Sequence, residues 1–165
     1  MPVCNILIGV PGSGKTTWTN RFSKLDGDKK MPSMTASSDY FIEEAAKLFG
    51  VTYSQIFDDV FKYANKSFWQ YVETLSYNSL DFNVDRTNLT YKSRKEVMSL
   101  VRKTNPMYTF DAYVFEIPPD NVLTNRLVSR HGKIVPKDVL ENMIQNFHEP
   151  SPDEGFKNIH KIRTF

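Results

Sequence analysis

Gly9-Val10-Pro11-Gly12-Ser13-Gly14-Lys15-Thr16 satisfies G-x-x-x-x-G-K-[ST] at every fixed position. The apolar run Val3 to Ile8 precedes it and reads as a buried strand. From Lys15 to Lys24 the residues Trp18, Arg21 and Phe22 recur at helical spacing. A strand, a glycine loop and a helix in that order form a phosphate cradle. Glycines accept unusual φ/ψ, so successive backbone N–H groups can point inward around an anion. The start of the helix adds its positive dipole end. Lys15 is a mobile point charge for the β- and γ-phosphates, and the Thr16 hydroxyl is a ligand for Mg²⁺. Gly9, Pro11, Gly12, Ser13, Gly14, Lys15, Thr16 and Thr17 thus form a candidate ATP site.

Outward from this loop, short apolar runs alternate with helical patterns, which predicts an α/β fold with a parallel sheet. Met34 to Ser38 is a short second strand that stops at Asp39. Tyr40 to Tyr77 is helical with a break near Gly50-Val51-Thr52. Its apolar face carries Phe57, Val60, Phe61, Ala64, Phe68 and Tyr71 at three- and four-residue steps. Leu80 to Val84 is a third strand, Ser93 to Lys103 a helix and Ala112 to Ile117 a fourth strand. Helices follow from Pro118-Pro119 through Arg126 and from Pro136 to Phe147, and Ile159 to Ile162 is a closing strand. The expected architecture is a three-layer P-loop NTPase fold: four to five parallel strands flanked by helices, with a lid segment. No repeat or long linker divides residues 1–165, so one domain is expected.

Composition narrows the class. Apolar residues make up 40% and charged residues 24% of the 165, with twelve Phe and eight Tyr, a globular profile rather than a disordered one. A net charge of +2 neither demands nor excludes nucleic acid. The lone Cys4 lies in an apolar run and reads as a core thiol. No apolar run approaches the roughly 20 residues that span a bilayer. The N-terminus lacks the basic flank of a signal peptide, so a cytoplasmic location and no membrane partner are expected.

A phosphate cradle alone does not make an enzyme. Phosphoryl transfer also needs a group to handle the attacking hydroxyl. In open parallel sheets such groups stand just past the carboxyl ends of strands. Asp39 follows the second strand and Asp85 the third. Either carboxylate can orient an acceptor hydroxyl, or hold a water in the magnesium shell. Either can also act structurally, Asp39 as a helix cap and Asp85 in an Asx turn. Arg126 and Arg130 lie in a basic stretch that leaves a helix into the loop around Gly132. Such a lid can bring a planar fork of donors onto a developing phosphoryl charge. His131, His148 and His160 are isolated. Lys24-Leu25-Asp26-Gly27 matches the K-x-D-G nucleophile of ligases, but at a helix exit it reads as a turn.

With these residues in place the chain resembles the kinase domain of the phage and animal polynucleotide 5′-hydroxyl kinases, within the zeta-toxin-like P-loop kinases. The resemblance covers nearly the whole chain. It rests on the P-loop with Thr17-Trp18, on Ser38-Asp39-Tyr40, on Asp85-Arg86-Thr87-Asn88-Leu89 and on Arg130 through Pro136. The closing Phe147-His148-Glu149-Pro150-Ser151-Pro152-Asp153-Glu154-Gly155-Phe156 is similar to the end of the animal kinase domain. The resemblance implies an ATP- and Mg²⁺-dependent kinase whose acceptor is a 5′-hydroxyl end of DNA or RNA. It makes Asp39 the general base, Lys15 and Thr16 the phosphate and metal ligands, and Arg130 the lid arginine. It makes Asp85 an acceptor-pocket residue, and Arg86, Thr87 and Asn88 beside it are candidates for the same substrate side; Arg126, in the lid stretch, is a candidate on the nucleotide side. One position departs from the pattern: the phage enzymes carry an arginine three residues after the base, where this chain has Ile42. Other acceptors stay open, namely a hydroxymethylated base, a nucleoside or another small molecule. A nucleotide-gated binding module without turnover also stays open.

Overall fold

The computed structural model describes residues 1–23, 32 and 34–165. The Lys24-Leu25-Asp26-Gly27 turn lies outside the described residues. In chain order the elements are β1 (Val3–Ile8), α1 (Lys15–Ser23), β2 (Met34–Ala36), α2 (Ser38–Phe49), α3 (Tyr53–Tyr77) and β3 (Phe82–Asp85). They continue with α4 (Tyr91–Thr104), β4 (Thr109–Phe115), α5 (Asp120–Val128), α6 (Lys137–Gln145) and β5 (Asn158–Ile162). The five strands form one parallel sheet in the order β2-β3-β1-β4-β5.

Parallel neighbours require crossover connections, and the helices that supply them cover both faces of the sheet. β1 is therefore apolar on both sides. Cys4, Ile6 and Ile8 pack with Phe68, Val72 and Leu75 of α3 and Val97, Met98 and Val101 of α4. Leu7 turns to the other face, where Phe115 and the rings of Trp18 and Phe22 meet it. Burial raises the Cys4 thiol pKa, as expected for a core thiol. No described helix is long and apolar enough to cross a membrane.

Local chemistry explains where the elements begin and end. Gly50 takes the left-handed conformation (φ 66°) that closes α2, and Thr52 opens α3 with a reciprocal capping box to Gln55. Thr90 does the same with Ser93, so α4 begins two residues before the expected Ser93. β2 is shorter than expected because Ser38 already belongs to α2. β4 runs Thr109–Phe115 rather than Ala112–Ile117, since its N-terminal half pairs with β1 from Val3↔Thr109 onward.

One buried ion pair ties the closing segment to the sheet. Arg94 is 0% exposed and Glu154 6%, and Nε and Nη2 of Arg94 donate to the two Glu154 oxygens at 2.7 Å each. Arg94 Nη1 also donates to the carbonyls of Asn88 (3.1 Å) and His148 (3.0 Å). The guanidinium thus knits α4, the loop after β3 and the Pro152–Glu154 turn around one charge.

Candidate active site

The chain turns back on itself at β1, whose neighbours β3 and β4 lie on opposite sides. That reversal opens a crevice at the carboxyl ends of the strands, and the glycine loop sits in it. Gly12 and Gly14 adopt φ 85° and 95°, which L side chains rarely reach. Lys15 folds over the loop, Nζ donating to the carbonyls of Gly9 (2.7 Å) and Val10 (3.1 Å). Burial lowers its pKa to about 8; the Arg130 charge adds to that and Asp85 opposes it. The Ser13 hydroxyl is buried and has no hydrogen-bond partner among the described residues. A desolvated ammonium and an orphaned hydroxyl in one loop fit a phosphate group.

Thr16 Oγ1 donates to Asp85 Oδ2 at 2.7 Å. Burial raises the Asp85 carboxyl pKa, while Lys15 and the Thr16 hydroxyl restrain that rise. A hydroxyl and a carboxylate are the hard oxygen donors that Mg²⁺ selects, and its remaining positions are normally filled by phosphate and water. Among the described residues no group of three His, Cys, Asp or Glu could hold a metal by itself. The donor set therefore fits a nucleotide-borne Mg²⁺.

Asp39 lies just past the carboxyl end of β2, in the first turn of the helix that follows. It is the second residue of α2, and Ser37 occupies the cap position. Its carboxylate is held from two sides. Tyr53 OH donates to Oδ1 at 2.7 Å, and Lys133 Nζ donates to Oδ2 at 2.6 Å. Lys133 also reaches Glu43 Oε1 at 3.2 Å. Burial pushes the Asp39 carboxyl up, but Lys133, by charge and hydrogen bond, and the Tyr53 hydroxyl together bring it below the usual value. Burial and the Asp39 charge push the Tyr53 phenol up.

The loop after α5 forms the third side. Arg130 is half-buried, and its charge acts on both Lys15 and Tyr53. The loop is fastened to the start of α3: Ser54 N donates to Gly132 O (2.9 Å), and Ile134 N donates to Ser54 Oγ (2.9 Å). Lys15, Thr16, Asp85, Asp39 and Arg130 are therefore neighbours, joined by Tyr53 and Lys133, which sequence reasoning did not single out.

Other candidates stand elsewhere. Arg126 braces the loop from outside, its guanidinium donating to Gly12 O (3.2 Å), Thr164 Oγ1 (2.9 Å) and Thr164 O (2.7 Å). Thr164 Oγ1 in turn donates to Ser13 O at 2.7 Å. Arg86 lies over the rings of Phe68 (4.7 Å) and Trp69 (5.8 Å). Thr87 O accepts from Gly9 N at 3.0 Å. Asn88 is buried in a left-handed conformation (φ 49°), with Nδ2 donating to Leu7 O at 2.8 Å. These contacts hold the loop after β3 against β1. Ile42 is 1% exposed and packs with Ala46, Ile56 and Ala64 between α2 and α3. That position faces core, whereas Glu43 beside it faces the lid.

Residues 5–150 match the family AAA_33, described as an AAA domain. The chain belongs to this family. Among curated proteins this AAA domain is similar to the L-seryl-tRNA(Sec) kinase of Methanococcus maripaludis, 28% identical over 145 residues. The match covers 88% of this chain and 52% of the relative, so the chain spans about half that relative's length. Its fold is shared with a chain of the PezAT toxin–antitoxin system of Streptococcus pneumoniae (TM-score 0.73, 16% identity, 99% of this chain and 67% of that one). It is also shared with a chain of the Pnkp1/Rnl/Hen1 RNA repair complex (TM-score 0.64, 22% identity, 88% of this chain and 43% of that one). The three-layer α/β architecture of P-loop kinases is therefore the fold of this AAA domain.

Proposed function

We propose that residues 1–165 act as one kinase domain that moves the γ-phosphoryl group of ATP to a hydroxyl on a nucleic acid, foremost the 5′-hydroxyl end of DNA or RNA. The observation that carries this reading is Asp39. It is a half-exposed carboxylate, separate from the Thr16–Asp85 pair, and its charge is felt at the loop lysine. A protein that only held nucleotide would need no second carboxylate there.

Lys15, the Ser13 hydroxyl and the loop amides would bind the phosphates, and Thr16 and Asp85 would hold Mg²⁺. When bound, that ion shields charge on the phosphate oxygens. Asp39 would accept the hydroxyl's hydrogen bond and orient it in line with the γ-phosphorus. The acceptor oxygen forms a bond to phosphorus, the bond to the β–γ bridging oxygen breaks, and ADP leaves. The acceptor proton passes to Asp39. Arg130 would meet the charge that develops on the transferring group.

Two similarities support an acceptor borne by nucleic acid: a curated relative named for seryl-tRNA and a fold neighbour from an RNA repair complex. A second reading has its own support. Ile42 is core, so that position offers no cation for a phosphate flanking the acceptor, and Lys133 near it is already paired with Asp39 and Glu43. That favours a hydroxyl without a flanking phosphate, as on a modified base, a nucleoside or another small molecule. The test is to incubate the protein with γ-labelled ATP and DNA ends, RNA ends, hydroxymethylated duplexes and nucleosides. Label on a 5′ end supports the first reading, and label on a modified base or nucleoside the second. ATP hydrolysis with no labelled acceptor refutes the first reading and the modified-base and nucleoside forms of the second.

A further inference from the structure

We propose that Lys133 and Tyr53 form a clamp that positions the Asp39 carboxylate for the acceptor hydroxyl, which makes Lys133 a positioning residue for the transfer. The inference rests on the reading of Asp39 given above.

The geometry is specific to the two oxygens. A carboxylate offers about four lone-pair sites, two on each oxygen. Tyr53 OH takes one on Oδ1 and Lys133 Nζ one on Oδ2, at 2.7 and 2.6 Å. Each oxygen keeps one free site, and the plane of the group is fixed. A carboxylate in the first turn of a helix would otherwise turn about its side-chain torsions.

Lys133 is itself held on several sides. Its side chain is only 18% exposed, and its ammonium lies 4.3 Å from the Tyr53 ring centroid and 3.2 Å from Glu43 Oε1. The loop that carries it is pinned by the two backbone bonds to Ser54. Gly132, at φ 71°, lets that loop pass against Thr52, where a Cβ would come within 2.6 Å of the Thr52 Cβ. One short loop thus brings Arg130 toward Lys15 and Lys133 onto Asp39.

Other charges surround the clamp: Lys15 from the glycine loop, Asp85 from β3 and Arg86 after it act on Asp39, while Glu43 from α2 and Arg130 from the lid act on Tyr53. Among the described residues Lys133 is the cation in direct contact with the Asp39 carboxylate, so its removal should change both the orientation and the proton affinity of that group.

The test uses Lys133→Met, which keeps stem length and packing on Tyr53 but removes the charge, alongside Lys133→Arg and Tyr53→Phe. The Asp39 carboxyl is titrated by ¹³C NMR in each folded protein without nucleotide or acceptor. Turnover is measured with the acceptor labelled in the panel above. Lys133→Met and Tyr53→Phe should each move the Asp39 midpoint up and lower kcat by about 10-fold or more, with KM for ATP unchanged. Lys133→Arg should restore part of the rate. An unmoved midpoint overturns the clamp, and so does a kcat equal to or above the unsubstituted protein's, which would make Lys133 an inhibitory latch. Should Lys133→Met not fold, Tyr53→Phe decides by the same two readouts. A protein that phosphorylates no acceptor fails the functional reading, whereas an unmoved midpoint fails the clamp alone.

Discussion

Glu154→Gln perturbs the buried charge that anchors the loop after β3, and its cost follows from the contacts. Arg94 is 0% exposed and spends Nε and Nη2 on Glu154, with Nη1 shared between the carbonyls of Asn88 and His148. Glutamine keeps the shape but turns an NH₂ toward a guanidinium that is shut off from solvent. Breaking a buried pair from one side costs about 3–5 kcal/mol, against a total stability of roughly 5–15 kcal/mol. At about 2–4 °C per kcal/mol for a chain of this size, the melting temperature should fall by roughly 6–20 °C. Thermal unfolding followed by circular dichroism measures it. The paired substitution Arg94→Met with Glu154→Leu removes both charges and should lie closer to the unsubstituted protein than either single change. A fall of under ~3 °C for Glu154→Gln, or additive losses in the double variant, would refute the argument.

Three further outcomes are expected. Asp39→Asn should lower transfer by ~10²-fold or more. Its melting temperature should barely move, because the carboxylate is half-exposed and Ser37, not Asp39, holds the cap position; full activity in a steady-state assay would remove Asp39 from the mechanism. Arg130→Ala should lower kcat more than it raises KM for ATP, since its contact strengthens as charge develops; the reverse split would make it a ground-state ligand. Thr164→Val deletes one donor to the glycine loop and one acceptor for Arg126. At about 1 kcal/mol this should weaken ADP binding by roughly 5-fold in calorimetry, and unchanged affinity would show the brace to be dispensable.

The sequence made the sheet and its crevice readable because both rest on local signals. β1 begins and ends where the apolar run does, since the strand is buried on both faces. The α2–α3 break was visible in Gly50 and Thr52, whose left-handed closure and capping box act within a few residues. What stayed hidden lies far apart in the chain. Lys133 meets Asp39 across 94 residues, and Thr164 meets Ser13 across 151. No periodicity marks such pairs. Asn88 is a related case: the sequence pattern sets it on the substrate side, whereas its left-handed backbone turns its amide inward to Leu7 across 81 residues. Glu154 was visible only as part of a family-like pattern, and Arg94 supplies the physical reason for an acid at that position.

The brace that Thr164 and Arg126 make on the glycine loop bears on the order in which the chain acquires its properties. β1 and the loop can form early, but the Ser13 carbonyl gains its Thr164 partner, and Arg126 its two Thr164 acceptors, only when β5 has docked beside β4 and carried residue 164 into place. Contacts of such long sequence separation form late, because the intervening chain must be ordered first. Competence to bind nucleotide should therefore arrive near the end of folding. A ligand that binds only the braced loop then stabilises the edge strand as well as the loop, by mass action. In a cell, ATP would act on β5 much as a fastening closed after assembly.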